Sequence, residues 1–240
     1  MKIIIIIPAY NEQNNIREVV DNLINNYPQF DYIVINDCSK DNTEKILKEN
    51  NYSYINLPVN LGIGGGVQTG YKYALENGYD IAIQMDGDGQ HDPKFFDEIT
   101  KIIERGEADI VIGSRFIEKE GFQSTRTRRI GINFLSFLIK LTCGIKVKDV
   151  TSGYRAVDKK FIKIYAEEYA QDYPEPEAIV NAAVNKGKIL EYPVIMHERA
   201  SGESSISPLK SIYYMIKVSL SIVLYRLTLR KRGNKVESST

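Results

Sequence analysis

The chain has 240 residues, 43% of them hydrophobic, which is enough to bury the core of one large domain. Its thirty-one basic residues balance its thirty-one acidic residues, so the net charge gives no indication of a nucleic-acid partner, and we expect none. The two cysteines, Cys38 and Cys143, match no disulfide or metal-binding spacing, which indicates a reduced cytosolic setting.

Apolar runs and helical patterns alternate along the first half of the chain. The opening run, residues 3–7, is continuously apolar, as expected of a strand covered on both faces and not of a signal peptide. Further strands are expected at "DYIVIN", "YSYINL", "YDIAIQM" and "ADIVIG", with helices between them, including one near residues 66–77. This alternation predicts an α/β, Rossmann-like fold with a mostly parallel sheet and helices on both faces.

Four polar loops follow the first four predicted strands, at residues 8–12, 36–41, 60–66 and 86–92. Ligands bind at the carboxyl ends of the strands in such sheets, so we expect one functional edge that holds all four loops. The glycine-rich loop does not match the dinucleotide-binding fingerprint, because Val67 stands where the third glycine is required.

The loop after the fourth strand, "QMDGDGQHDP", is acidic. Asp86 and Asp88 can present two carboxylates to one side, and such oxygen ligands favour Mg²⁺ or Mn²⁺ shared with substrate phosphates. The alternative is a solvated acidic turn, since Asp and Gly are ordinary turn residues. His91 is expected to be a hydrogen-bonded surface residue and not a metal ligand.

The second half of the chain is less regular. A polar, basic stretch over residues 114–130 precedes an apolar helix at about residues 130–141. A loop with a short strand, "DVTSGYRAVD", comes next, followed by two helical stretches around "DYPEPEA" and a late strand in "KILEYPVIM".

Residues 208–232 form the last predicted element. Their apolar residues are interrupted by Lys210, Lys217 and Arg226, and no run of eighteen apolar residues spans a bilayer. We expect an amphipathic helix at the membrane interface, with a core helix or an oligomer contact as the alternatives. Residues 233–240 are expected to be a disordered tail.

Several motifs together carry a family resemblance. "PAYNE", "NDCSKDN", "NLGIGGG" and "MDGDGQHDP", each at its strand end, resemble the inverting family 2 glycosyltransferases of the GT-A fold. The later "TSGYRA" and "ERASGESSI" are similar to those of the polyprenyl-phosphate sugar synthases, the group that contains dolichol-phosphate mannose synthase. The resemblance covers residues 1–207, with every motif in family order, and implies that this stretch is the catalytic domain.

The resemblance implies roles for the matching positions. The positions implied to bind the nucleotide-sugar are Pro8, Tyr10, Glu12, Asp37, Asn60, Gly62, Asp86, Arg199 and Ser204. Those implied to surround the metal, Mg²⁺ or Mn²⁺, are Asp86, Asp88 and Gln90. The family often has a lysine after the last serine; Ser205 stands there instead, so one phosphate contact is missing or supplied elsewhere.

The residues expected around the acceptor phosphate are Arg126, Arg128, Arg129, Ser152, Tyr154 and Arg155. Guanidinium groups bind phosphate bidentately, although a solvated basic loop is the alternative for the three arginines at residues 126–129. The catalytic candidates are Asp88 and Arg115, with Asp149 and Glu177 as candidate general bases. A phosphate acceptor is already anionic near neutral pH, so a strong base is not required.

The expected activity is metal-dependent, inverting transfer of a sugar from a nucleotide-diphosphate donor, with uridine favoured, to a polyprenyl phosphate. A peripheral enzyme at the cytosolic membrane face is expected, with a small membrane protein and further copies of the chain as candidate partners. One alternative is a family 2 transferase acting on a saccharide or cell-wall polymer. The other is a catalytically silent nucleotide-binding subunit, which the intact Asp86-x-Asp88 pair argues against.

Overall fold

The computed structural model describes residues 1–172, 174–198 and 215–224 of the chain, which surround one seven-stranded sheet. The strands are β1 (Ile3–Ala9), β2 (Asp31–Asn36), β3 (Tyr54–Asn56), β4 (Ile81–Gln84), β5 (Ile110–Ser114), β6 (Arg155–Asp158) and β7 (Ile189–Pro193). Their order in the sheet is β3-β2-β1-β4-β6-β5-β7. Four of the six pairings are parallel, and β6 runs antiparallel to both of its neighbours. The predicted mostly parallel α/β sheet is confirmed.

Helices cover both faces of the sheet. They are α1 (Ile16–Asn26), α2 (Thr43–Glu49), α3 (Gly62–Glu76), α4 (Phe96–Glu104), α5 (Arg126–Cys143), α6 (Lys159–Glu167) and α7 (Pro174–Val184), with a 3₁₀ turn at Pro93–Phe95. The buried residues of α1, α2 and α4 form one core cluster, and those of α3, α5, α6 and α7 form the other. Helix α7 begins inside "DYPEPEA", a segment that the sequence placed between two helices.

Strand β1 shows why the opening apolar run has to be a central strand. Ile4 and Ile6 contact the α3-side cluster, whereas Ile5 and Ile7 contact the α1-side cluster, and all four side chains are fully buried. Side chains alternate between the two faces of a strand, so only a sheet covered on both sides can bury all of them.

The antiparallel strand β6 brings the segment before it to the functional edge. Arg155, the first residue of β6, pairs with Gln84, the last residue of β4. Because β6 runs against β4, residues 149–154 lie at the same edge as the carboxyl ends of the parallel strands. The sequence predicted the short strand but gave no indication of its direction.

Helix α3 begins at Gly62, four residues before the predicted start. A Cβ atom on Gly64 would lie 2.0 Å from the carbonyl oxygen of Ala170, and the Gly64 N–H donates to the carbonyl oxygen of Gln171 at 3.1 Å. The glycines therefore form the first turn of a helix that packs directly against backbone, and they do not form a free loop.

Of the predicted C-terminal element, residues 215–224 are helical, with Val218 and Ile222 buried in the α3-side cluster. The remainder of residues 208–232 and the whole of 233–240 lie outside the described residues. Within the described part of the chain, no helix is long and apolar enough to cross a membrane.

Candidate active site

The loops after β1 and β2 are joined by hydrogen bonds at the carboxyl edge of the sheet. The Asn11 N–H donates to Ser39 Oγ at 2.9 Å, and the Lys40 N–H donates back to Asn11 Oδ1 at 2.8 Å. The N–H of the buried Glu12 donates to Thr43 Oγ1 at 2.9 Å. Tyr10, beside them, is 41% exposed. The predicted shared edge is therefore present, with a tyrosine ring accessible on it.

Asp37 connects this edge to the start of α3. Its buried carboxylate accepts from the Leu61 N–H at 2.7 Å, and Asn60 Nδ2 donates to its carbonyl oxygen at 3.1 Å. Burial raises the pKa of Asp37, while the backbone N–H groups of Leu61 and Gly62 act in the opposite direction. Asp37 thus holds the α3 loop against β2, and its predicted contact with the nucleotide base stays a prediction.

The acidic loop is a tight turn that presents Asp86 and Asp88 at the end of β4. Asp88 is largely buried and accepts from the Gln90 N–H at 3.1 Å, while the Asp86 side chain is 34% exposed. A Cβ on Gly87 would lie 3.2 Å from the Pro8 carbonyl oxygen, and Gly89 has a φ of +77°. The glycines allow the turn to lie close to β1, which is what positions the two carboxylates.

Gly153 leaves a notch beside Asp86. A Cβ at this position would lie 3.1 Å from Asp86 Oδ1, 3.2 Å from Oδ2 and 3.1 Å from Gln84 Nε2. The Gln84 amide is fully buried and has no hydrogen-bond partner in the described part of the chain. The acidic loop therefore lies over a buried amide, and the absence of a side chain at Gly153 lets the chain pass this close to the Asp86 carboxylate.

The donor set fits a hard divalent cation shared with substrate. Within the described residues, no group of three or more His, Cys, Asp or Glu side chains could hold a metal ion. The protein would therefore supply two carboxylates, and the diphosphate and water the rest, as Mg²⁺ sites commonly do. Gln90 Nε2 donates to the His197 carbonyl oxygen at 3.2 Å, which leaves the amide oxygen of Gln90 as its only candidate ligand atom.

His91 is buried, and the expectation of a surface residue was wrong. Its Nδ1 accepts from the Asp86 N–H at 3.0 Å, and its ring stacks on Tyr154 with centroids 4.9 Å apart. Burial lowers the pKa of His91 to about 4, so the imidazole is neutral near pH 7. The neutral ring holds the acidic loop in place by accepting the hydrogen bond from the Asp86 backbone N–H.

Arg115 forms a two-pronged ion pair with Asp149. Nε donates to Oδ2 and Nη2 to Oδ1, both at 2.8 Å, and the Arg115 backbone N–H adds a third bond to Oδ2 at 3.2 Å. Asp149 is fully buried, while 13% of the Arg115 side chain is exposed. The structure therefore does not support Asp149 as a free general base; its carboxylate orients Arg115, which keeps one accessible side.

Three residues expected at the acceptor phosphate are buried and bonded to backbone, and their role there stays a prediction. Ser152 Oγ donates to the Gly113 carbonyl oxygen at 2.7 Å, and the Tyr154 hydroxyl donates to the Asp92 carbonyl oxygen at 2.8 Å. Arg155 Nη1 and Nη2 donate to backbone carbonyl oxygens of Glu175 and Ser152. At 1% exposure or less, none of the three side chains can touch an acceptor in this arrangement. They brace the segment that carries Gly153.

Glu175, which no motif singled out, lies near the charges of Arg155 and Asp86, whereas Glu177 lies near the 215–224 helix. Burial raises the pKa of Glu175 to about 7, with Arg155 opposing the shift and Asp86 adding to it, so both charges lie close to it. Burial also raises the pKa of Glu177, opposed by a hydrogen bond from Ser221 and by Lys217 of the 215–224 helix. Residues two apart on a helix point to opposite sides. The spacing of Glu175 and Glu177 could therefore have predicted that the two side chains lie in different environments.

The predicted basic residues lie at the start of α5. Arg126 and Arg128 are exposed, while the Arg129 guanidinium lies over the Phe116 ring at 4.4 Å and donates to Gln123 Oε1 at 3.4 Å. Phe116 follows Arg115, so this cationic helix start borders the ion-paired arginine. Arg199 and Ser204, the other two predicted phosphate contacts, lie outside the described residues.

Comparisons with known proteins show the family of the chain. The family model described as "Glycosyl transferase family 2" matches residues 4–165. The UDP-N-acetylglucosamine–dolichyl-phosphate N-acetylglucosaminyltransferase of Methanococcus voltae is 36% identical, over 92% of this chain and 98% of that protein. The undecaprenyl-phosphate mannosyltransferase of Micrococcus luteus is 28% identical, over 86% and 88% of the two chains.

The fold is also found in solved structures. Glucosyl-3-phosphoglycerate synthase from Mycobacterium tuberculosis, in complex with Mn²⁺, uridine diphosphate and glucosyl-3-phosphoglycerate, has a TM-score of 0.69. The match covers 94% of this chain and 79% of that one, at 20% identity, and at this identity the likeness concerns the fold alone. The GT-A-type fold that the motifs implied is confirmed.

Proposed function

The chain belongs to glycosyl transferase family 2, and we propose that it transfers one sugar, with inversion, from a uridine-diphosphate sugar to a polyprenyl phosphate at a membrane surface. The observation that carries the proposal is the Asp86–Asp88 pair at the end of β4, beside Gly153. Relatives named as dolichyl- and undecaprenyl-phosphate transferases over most of their length support a lipid phosphate as the acceptor class.

The reaction needs stabilisation of negative charge on the leaving group. An oxygen of the acceptor phosphate attacks the anomeric carbon as the bond to the donor diphosphate breaks, and the nucleoside diphosphate leaves from the opposite side. Asp86 and Asp88 would hold a divalent cation, and that cation supplies several kcal/mol of charge stabilisation in a water-poor site. Asp149 keeps the Arg115 guanidinium oriented, so that its accessible side can meet an anion.

The start of α5 is an unusual place for three cations. A helix N-terminus carries a partial positive charge, which repels the exposed Arg126 guanidinium, and the first turn of α5 contains no acidic residue. A bound phosphate would remove this repulsion and would accept the backbone and guanidinium donors together. We assign the acceptor phosphate to this helix start, with Arg126 and Arg128 as its accessible ligands.

No general base is assigned, because the acceptor is already anionic. Asp149 is committed to Arg115, and Glu177 to the 215–224 helix. Glu175 lies closer to the acidic loop, and its raised pKa leaves it partly protonated near pH 7. Its role in this proposal is to limit the negative charge beside Asp86 before donor binding.

A lipid-product assay tests the proposal. The full chain would receive Mn²⁺ or Mg²⁺, a short polyprenyl phosphate, and UDP-N-acetylglucosamine, UDP-glucose, UDP-galactose or GDP-mannose in turn. Mass spectrometry of the organic phase should detect a lipid-linked monosaccharide with one uridine donor and none with EDTA. Donor consumption that requires a saccharide acceptor, with no lipid product, would support the polymer-directed alternative instead.

A further inference from the structure

Glu191 holds the loop that carries Asp149. It lies on β7 at the edge of the sheet, paired with Ile112 of β5, and it is partly buried. Its Oε2 accepts from the Lys148 N–H and its Oε1 from the Asp149 N–H, both at 2.9 Å. A carboxylate accepts on both oxygens, so it can satisfy two consecutive backbone donors where a glutamine amide, with one acceptor, cannot. One side chain on β7 therefore fixes two peptide groups of the neighbouring loop.

The loop is anchored by packing on either side of these two bonds. Val147 and Val150 are buried in the α3-side core cluster, and Ser136 Oγ on α5 donates to the Val147 carbonyl oxygen. A peptide group is planar, so the bond from the Asp149 N–H to Glu191 also fixes the plane from which the Asp149 side chain extends. The packing therefore sets the position of Asp149, and Glu191 sets the direction of its carboxylate.

Asp149 transmits this direction to Arg115. Its oxygens accept from Arg115 Nε and Nη2 at 2.8 Å, and Arg115 Nη2 also donates to Thr151 Oγ1 at 3.4 Å. Asp149 is fully buried, so water does not compete for these bonds. Among the described residues, no hydrogen bond engages Nη1, the third nitrogen of the Arg115 guanidinium. Its two N–H groups are therefore the donors that an anion in the site would meet.

We propose that Glu191 is the positioning residue of this arginine. It sets the direction of Asp149 through the backbone, and Asp149 in turn keeps the N–H groups of Arg115 Nη1 available to an anion. The effect on turnover rests on the proposed function, in which that anion is a phosphate or diphosphate of the substrates. All of these bonds lie within the protein, so the orientation of Arg115 can be measured separately from the reaction.

The alternative is that Glu191 only stabilises the edge of the sheet. Loss of its carboxylate would then loosen the surroundings generally, whereas the proposal predicts an effect concentrated on Arg115. Arg155 is the internal reference, because its guanidinium is buried and donates to the backbone carbonyl oxygens of Glu175 and Ser152. Neither of those bonds involves the Glu191 carboxylate.

Hydrogen exchange of the arginine Nε–H groups, followed by ¹⁵N NMR on the full chain, tests the orientation. The Arg115 signal is identified by its loss in Arg115→Lys. Glu191→Gln keeps the size of the side chain but loses one of the two backbone bonds. In this variant Arg115 Nε–H should exchange at least about tenfold faster than in wild type, while the Arg155 rate changes less than about twofold. The matched control is Glu107→Gln, which alters a side chain that is 51% exposed and should leave both rates unchanged.

A measurement on the wild type keeps the test valid should Glu191→Gln fail to fold. The backbone N–H groups of Lys148 and Asp149 should exchange at least about tenfold more slowly than those of an unstructured peptide, because both are hydrogen-bonded. Exchange of both groups at the unstructured rate would overturn the proposal, since the bonds to Glu191 would then be absent in solution.

Steady-state kinetics of lipid-linked sugar formation test whether Glu191 acts through Arg115. An oriented guanidinium stabilises charge that develops in the transition state, while the metal and nucleotide contacts of the donor stay in place. Glu191→Gln should therefore lower kcat by about tenfold and change KM for the donor by less than about twofold. In the Arg115→Lys background, the same substitution should change kcat by less than about twofold, because the group on which it acts is already gone.

The outcomes separate this inference from the proposed function. Faster exchange at Arg115 alone supports the positioning role even when no lipid product forms, in which case only the proposed function fails. An unchanged Arg115 rate, or equal acceleration at Arg115 and Arg155, would overturn the positioning role. So would losses of kcat that multiply in the double variant, because Glu191 would then act independently of Arg115.

Discussion

The Arg115–Asp149 pair allows a sharp test of how the site is held together. Asp149→Asn keeps the size of the side chain but removes its charge and turns one acceptor oxygen into an N–H group. That group would face guanidinium donors that now bond Oδ1 and Oδ2 at 2.8 Å. The substitution therefore leaves a largely buried guanidinium without its counter-charge.

The structure sets the expected size of the effect. Removing one partner of a buried ion pair destabilises a protein by about 3–5 kcal/mol. Asp149 is fully buried, but 13% of the Arg115 side chain reaches solvent and recovers some hydration, so we expect about 3 kcal/mol. The double variant Arg115→Leu/Asp149→Leu removes both charges. Its loss of unfolding free energy should be about 2 kcal/mol smaller than the summed losses of the two single variants.

Urea unfolding followed by circular dichroism measures these differences. A loss below about 1 kcal/mol in Asp149→Asn would refute the ion-pair account. A stable Asp149→Asn enzyme that loses turnover together with one titrating group in its pH–rate profile would show instead that Asp149 is a general base.

Further predictions concern packing and pH. Gly70→Ala should destabilise by about 1–3 kcal/mol in urea unfolding, because its Cβ would lie 2.2 Å from Ile6 Cγ2. Gly66→Ala in the same helix meets nothing nearer than 3.8 Å and should be neutral or stabilise by up to about 1 kcal/mol; equal losses at both sites would contradict the packing. The pKa of His91 is about 4 in the folded protein, below the ordinary value of 6.5. Between these two pH values the imidazole is protonated in the unfolded chain but neutral in the folded protein. Stability of the metal-free protein should therefore drop by about 2 kcal/mol from about pH 7 to about pH 5; His91→Gln should lose this component and the more exposed His197→Gln should keep it.

The sequence predicted the parallel half of the sheet because local patterns determine it. The isoleucine run of β1 has to be buried on both faces, and polar loops after each strand have to meet at one edge. The direction of β6 depends on which strands flank it, and this tertiary fact has no local signature. The sequence did not predict that α3 begins at Gly62, because glycines are typical of loops. In this protein they form a helical turn, where the missing side chain lets Gly64 lie close to the backbone of Ala170.

The motifs predicted which residues lie at the edge of the sheet, but they did not predict the direction in which each side chain points. Asp86 and Asp88 lie at the expected strand end. Tyr154 directly precedes β6 and Arg155 begins it, and their side chains enter opposite faces of the sheet, an orientation that the motif alone does not reveal. The same reasoning, applied to Glu175 and Glu177 on α7, would have assigned one to the site and the other to the neighbouring helix.

The most direct test of the central claim is the metal-dependent formation of lipid-linked sugar by Asp88→Ala. Asp88 is one of two carboxylates that would hold the cation, so turnover should fall by about a thousandfold or more while the fold is kept. Asp97→Ala, on the exposed first turn of α4, is the control and should match wild type. Wild-type turnover in Asp88→Ala, still dependent on Mn²⁺, would contradict the assignment of the acidic loop as the metal site.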